Sequence, residues 1–137
     1  MATPTRHRID PQSPALAQFL TERHLATLTT PRPDGTPHVT PVGVTFDPVT
    51  ATARVITSRP SRKARNVAAA GPDGAAVAVC QVDGRRWVTL EGRAVVDASP
   101  AAVAEAERRY AARYRQPRPN PQRVVLTIAV TRIIGNL

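Results

Sequence analysis

Asp34-Gly35 and Asp83-Gly84 each stand between two runs rich in β-branched residues, and an Asp-Gly pair so placed is a strong short-range signal for a β-hairpin. Leu25 to Thr30 and His38 to Phe46 flank the first pair; Ala75 to Val82 and Arg86 to Val96 flank the second. Four antiparallel strands are therefore specified locally. In the last of these, Val88, Leu90, Ala94 and Val96 share one side while Trp87, Thr89, Glu91 and Arg93 share the other, so one face lines a core and the other meets solvent, ligand or a second subunit. Pro41 lacks an N–H and Gly43 a side chain, so the second strand should be bulged or exposed at its middle, where a flat ligand could approach the backbone. Ala53 to Ile56 and Arg123 to Ile134 read as two more strands. Helices should start at Ser13-Pro14, Ser61 and Ser99-Pro100, where a capping hydroxyl, twice followed by proline, precedes a helical run. On the first, Leu16, Phe19, Leu20 and His24 share a face; on the last, Val103, Ala106, Tyr110 and Tyr114 form a stripe. Six strands with helices at the joins and no βαβ rhythm make a mostly β fold, an antiparallel barrel with flanking helices. Residues 1–12 read as a loose N-terminal tail and residues 13–137 as one domain.

The segment from Thr57 to Asn66 joins the third strand to a short helix and carries Arg62, Lys63 and Arg65 around the Ser61 cap. A helix N-terminus presents unpaired N–H groups and a positive dipole end to an anion. Lys63 is the one lysine in a chain with eighteen arginines, so a compact point charge is set where phosphate would sit. Gln116 to Pro121, with three prolines, can be neither helix nor central strand.

A net charge of +9 raises the question of nucleic acid, but the arginines are scattered from Arg6 to Arg132 and aromatic residues make up only 4% of the chain. That is thin for a stacking platform, and an anionic small ligand accounts for the charge as well. The lone Cys80, in an apolar run, reads as a buried small hydrophobe; it permits no disulfide within the chain and fits a reducing cytoplasm. No long apolar span or lipidation signal points to a membrane. His7, His24 and His38 lie far apart with no zinc pattern, and the sequence shows no nucleophile elbow, Walker loop or dinucleotide fingerprint. No catalytic side chain can be named. Either the protein only binds, or a cofactor carries the reaction.

Leu25 to Thr30, Pro33-Asp34-Gly35, His38 to Gly43, Arg54 to Thr57 and Ser61 to Asn66, in that order, resemble the pyridoxamine-phosphate-oxidase-like split β-barrel superfamily, and more narrowly its actinobacterial branch that uses the deazaflavin coenzyme F420. Cys80 to Trp87, Leu90 to Ala94, Arg109 to Arg115, Pro117 to Pro121 and Arg123 to Val125 are similar to the F420-dependent biliverdin reductases of that branch. The resemblance runs over about residues 15–135. It implies a six-stranded split barrel that forms a homodimer, with each cofactor in a groove between subunits. It further implies that Ser61, Arg62 and Lys63, helped by Thr57 and Ser58, hold the cofactor's phosphate. The backbone through His38, Val39, Thr40, Pro41, Val42 and Gly43 would support the ring, and Trp87 would reach the groove from the partner chain. The implied reaction is hydride transfer from reduced F420 to a conjugated acceptor, with biliverdin named first. Its carboxylates would give Arg115, Arg118 and Arg123 partners in substrate binding. Flavin members carry basic residues at both ends of the third strand, whereas this strand has Arg54 but ends in Thr57-Ser58; FMN is the alternative cofactor. A non-catalytic carrier of F420 or a tetrapyrrole would share the same site.

Overall fold

The structure, a computed structural model, describes residues 7–137. Seven strands form a single sheet: β1 (Ala26–Pro31), β2 (Pro37–Val42), β3 (Thr45–Asp47), β4 (Thr52–Ser58), β5 (Ala75–Asp83), β6 (Arg86–Asp97) and β7 (Arg123–Asn136), in the order β2-β1-β5-β6-β7-β4-β3, every pairing antiparallel. Both hairpins lie where the Asp-Gly turns place them.

The strand count differs from the expected six because the run from His38 to Phe46 is two strands. Its first part pairs with β1 and its second with β4, at opposite edges of the sheet. Only Gly43 and Val44 lie between them. Laid flat, seven strands would hold their edges about 29 Å apart, and so short a link reaches only about 10 Å. The sheet must therefore roll until its edges approach, giving a barrel split along the seam between β2 and β3.

At that seam Val44 is 1% exposed, so its backbone groups need partners other than a strand ladder or water. The helix α3 (Pro100–Arg113) supplies them from its C-terminal end. The Val44 N–H donates to Tyr114 Oη at 3.1 Å, and Arg113 Nη1 donates to the Val44 carbonyl at 2.5 Å. Tyr114 Oη in turn donates to the His24 carbonyl at 2.7 Å. Arg113 also reaches the Glu22 carbonyl at 2.8 Å and Gln81 Oε1 at 2.6 Å, and Gln81 Nε2 donates to the Phe19 carbonyl at 2.9 Å. A polar network thus closes the seam that the sheet leaves open. Tyr114→Phe should cost about 1–3 kcal/mol, because the Val44 N–H and His24 carbonyl lose their partner while the ring stays in place. Urea unfolding should show a lower midpoint with the slope unchanged; an unaltered midpoint would remove the hydroxyl from the seam.

The core holds the inward residues of the strands with Leu16, Phe19 and Leu20 around α1 (Pro14–Phe19) and Ala64 and Val67 of α2 (Arg62–Ala69). Ser13, Ser61 and Ser99 cap the three helices, each accepting a backbone N–H three residues on. Along β6, Val88, Leu90 and Ala94 are buried as the alternation requires. A register shift at Glu91/Gly92 is absorbed by β7, where Thr131 has no partner in the ladder, so the β6 pattern stays unbroken. Cys80 is half-buried rather than buried: β5 turns Val79 and Gln81 inward, and strand alternation sends Cys80 to the other face. Within the segment expected to be a loose tail, Arg8 pairs with Ile134 and the Ile9 N–H donates to the Ile133 carbonyl at 2.9 Å, so the chain is docked from there on; residues 1–6 lie outside the described residues.

Candidate functional site

β4 ends at Ser58 and α2 begins at Arg62, and hydroxyls hold the elbow between them. Ser61 Oγ accepts from the Ala64 N–H at 3.2 Å and from Thr57 Oγ1 at 3.0 Å, so its oxygen organises the first helical turn. Asn120 Nδ2 donates to Ser58 Oγ at 2.7 Å, and the Arg59 N–H donates to the Gln122 carbonyl at 2.9 Å. The proline-rich segment after α3 is thereby pinned to the elbow. On its inner side, α2 is tied to β1 by Asn66 Nδ2, which donates to Thr30 Oγ1 at 3.1 Å.

These elements enclose a cleft of about 510 Å³. Pro41, Val42 and Gly43 form one wall at the seam; Ile56, Thr57, Ser58 and Lys63 form the elbow side; Tyr110 and the segment from Arg115 to Arg123 form the third. Of the residues expected at a site from sequence, the cleft brings together Pro41, Val42, Gly43, Thr57, Ser58, Lys63, Arg115, Arg118 and Arg123. Others do not line it. Ser61 lies behind the wall as the helix cap, Arg62 is exposed, and Val39 is 57% exposed on the outer side of β2. Thr40 is half-buried on the same strand. Trp87 sits on β6 opposite Val82 and is absent from this wall. His38 is half-buried with its Nδ1 shielded and unpartnered; burial first, then the charges of Arg32, Lys63 and Arg62, hold its imidazole below the ordinary range.

The cleft carries Lys63, Arg115, Arg118 and Arg123, and no carboxylate lines it. Burial pushes the Lys63 ammonium below the usual lysine range, with no acid among the described residues to offset it. Arg123 is different: Nη1 donates to Glu107 Oε2 at 2.7 Å, so its charge is already matched by α3. An anion entering the cleft thus meets Lys63 at the elbow and Arg115 and Arg118 across it. Arg54 is not part of this wall; it lies near Asp47 and Arg109, with one guanidinium nitrogen buried and unpartnered.

Ile56, Tyr110, Gln116, Pro117 and Asn120 line the cleft without having been singled out from sequence. Tyr110 shares the apolar stripe of α3, which reads as core, yet it is half-buried and packs at a tilt against Tyr114, with ring centroids 4.9 Å apart. Gly43 was expected to leave room for a ligand. Its missing side chain also makes room for the tyrosines, since a Cβ there would lie 2.8 Å from Tyr110 Cε2 and 3.0 Å from Tyr114 Cε2.

Glu22, His24 and Asp83 are close enough to gather around a metal ion, but Arg86 already occupies the position, donating to Glu22 Oε1 at 2.9 Å and to Asp83 Oδ2 at 2.7 Å. The bonds from Arg86 and His24 hold the Glu22 carboxyl at about 2. The guanidinium supplies these acids with the positive charge that a metal ion would bring.

Among known proteins, the chain is 57% identical over 118 residues to the F420H2-dependent biliverdin reductase of Mycobacterium tuberculosis (strain CDC 1551 / Oshkosh), covering 86% of this chain and 83% of that protein. A conserved hypothetical protein of Mycobacterium tuberculosis superposes with a TM-score of 0.77 at 24% identity over 98% of this chain and 89% of the other. An F420 reductase superposes with a TM-score of 0.66 at 25% identity, covering 85% of this chain and 93% of that one. Residues 13–136 match the family described as pyridoxamine 5'-phosphate oxidase, a span that takes in the split barrel, the elbow and the whole cleft. By that match over nearly its full length, the chain belongs to the pyridoxamine 5'-phosphate oxidase family.

Proposed function

We propose that the protein is a reductase that uses reduced F420 and acts on a conjugated acceptor, biliverdin first among them. The observation that carries this reading is the uncountered Lys63 ammonium at one end of a carboxylate-free cleft, in a chain 57% identical to an F420H2-dependent biliverdin reductase. The donor set fits the cofactor: a half-buried cation beside a helix N-terminus suits a phosphate, and Arg115 and Arg118 suit further carboxylates.

When bound, reduced F420 would supply a hydride from its ring, and the proton that the reduced acceptor also takes up would come from solvent. The chain's own residues do the rest. Lys63 holds the phosphate with the hydroxyls of Thr57 and Ser58 beside it, while Ser61 fixes the turn and Arg62 adds positive field. The backbone from His38 to Gly43 steadies the ring at the seam, with Pro41, Val42 and Gly43 nearest the cleft. Arg115, Arg118 and Arg123 orient carboxylates, and Arg123 must share itself with Glu107. Catalysis on this scheme is positioning and charge, with no side chain forming a covalent bond to substrate.

We further infer that two chains pair, each lending Trp87 to the other's cleft. Trp87 stands directly opposite Val82, itself 63% exposed, and the two make an apolar surface that a second copy would cover. Trp87→Ala should lower turnover and weaken the dimer; intact turnover with an unchanged sedimentation profile would leave Trp87 a surface residue. A reducing cytoplasm is the compartment we infer, supported by a single cysteine that can form no disulfide within the chain.

FMN is the second reading, favoured by the family alone. The position of Arg54, outside the cleft wall, removes one basic residue that a flavin phosphate would use. Purified protein mixed separately with F420, FMN and biliverdin, then with reduced F420 and biliverdin together, decides between them by absorption spectra. Loss of reduced F420 with appearance of bilirubin is the expected result. Binding of FMN alone would favour the oxidase reading, and binding of F420 or biliverdin without turnover would make the protein a carrier.

A further inference from the structure

Behind the wall formed by Tyr110 and Arg115 lies a second cleft of about 370 Å³, lined by Arg23, Leu25, Tyr110, Tyr114 and Arg115. Tyr110 and Arg115 therefore border both cavities. We propose that this second cleft anchors the acceptor: a conjugated molecule bearing carboxylates sets its acid groups on Arg23 and Arg115, lies against Tyr110 and Leu25, and extends over the shared Tyr110 edge to the cofactor's ring in the first cleft. The proposal rests on the reading of the first cleft as the cofactor's.

Four features of the cavity carry it. Its lining holds two guanidinium groups and no carboxylate. Arg115 is exposed and, among the described residues, no acceptor is within bonding distance of its guanidinium. Arg23 spends one nitrogen on the Tyr114 carbonyl at 2.5 Å, which anchors it over the cavity while its remaining N–H groups stay available. The apolar part suits a conjugated partner: Tyr110 and Tyr114 pack together at the wall with their rings tilted by 34°, and Leu25 is 66% exposed, a large aliphatic side chain left in water on the rim.

The geometry also says why the acceptor belongs here rather than beside Lys63. Gly43, on the wall of the first cleft, would put a Cβ against both tyrosine rings, so the Tyr110–Tyr114 pair is in contact with the backbone expected to steady the cofactor's ring. A molecule anchored here can meet that ring over the edge that Tyr110 shares between the two clefts, in the direct contact a hydride transfer needs, without competing for the phosphate end. Arg115, which borders both cavities, can bond whichever carboxylate is presented from either side.

The test uses biliverdin and its dimethyl ester, titrated into cofactor-free protein and followed by visible absorption and induced circular dichroism, with F420 affinity measured in parallel by fluorescence. Arg23→Gln should weaken biliverdin binding about tenfold, as loss of one charge-assisted contact does, and leave F420 binding unchanged. The dimethyl ester, which gives up the charged contacts to both Arg23 and Arg115, should bind the parent protein more weakly than the acid binds Arg23→Gln, with little further loss in the variant. Because Arg23 also holds the Tyr114 carbonyl, Leu25→Glu provides a second variant at an exposed position; its added carboxylate should repel biliverdin more strongly than the ester. Biliverdin binding equal to the parent's in both variants would overturn the proposal. So would a parallel loss of F420 in both, which would make this cavity an extension of the cofactor's own site. Failure of F420 to bind at all would instead count against the first cleft's reading, and the biliverdin titration would still report on the second.

Discussion

Arg113→Met is expected to destabilise the protein by about 3 kcal/mol, with a fall in Tm of roughly 10 °C. Arg113 is 8% exposed in the last turn of α3, and burial holds its guanidinium below the usual arginine range. Removing the charge therefore returns some desolvation cost. What it leaves behind decides the sign. The carbonyls of Val44 and Glu22 and Oε1 of Gln81 lose a common donor, in a region where water does not reach Val44 or Gln81. Each stranded acceptor costs about 1–3 kcal/mol, more than methionine's better packing recovers. Arg113→Lys should rescue little, because a single ammonium cannot reproduce a fork that bonds three acceptors in different directions. Chemical and thermal melts check this; a variant as stable as its parent would mean that the seam is held by strand packing alone.

Lys63→Ala should weaken F420 binding ten- to hundredfold, the consequence of losing a charge-assisted contact of about 1.5–3 kcal/mol. The unliganded fold should suffer little. Lys63 holds its charge against a desolvation penalty with no acid to compensate, so its pKa is lower folded than unfolded and the ammonium slightly disfavours folding at neutral pH. Alanine removes that penalty. The same sign sets the pH dependence: the anion needs the ammonium, so affinity should fall as pH rises through the lowered lysine pKa, and binding in that range should take up a proton. Fluorescence titration of F420 at several pH values, beside a melt of the cofactor-free variant, separates the two effects. Unchanged affinity would move the phosphate elsewhere.

Much of this molecule was legible locally. Asp34-Gly35 and Asp83-Gly84 marked both hairpins because a tight turn is decided by its own few residues, with Gly35 and Gly84 taking the positive φ that each turn needs. Ser13, Ser61 and Ser99 marked the helix starts because a hydroxyl meets a backbone N–H three residues away whatever the fold. Lys63 stood out from composition and from its place in the first turn of α2.

Other features depended on how the sheet rolls. Pro41 and Gly43 announced a disturbance, but only the pairing of β3 with β4 shows that the strand divides and crosses from one edge to the other. Arg113 reads from sequence as an ordinary cation at a helix end; rolling the sheet buries it against Val44, sixty-nine positions away in the chain. Tyr110 reads as core on a helical stripe, and the meeting of α3 with the seam turns it into a wall between two cavities. Residue order set the turns, caps and alternation, since these are contacts between near neighbours. The tertiary structure alone decided which distant groups share a cleft, because that depends on the closure of the whole sheet, to which every strand pairing contributes.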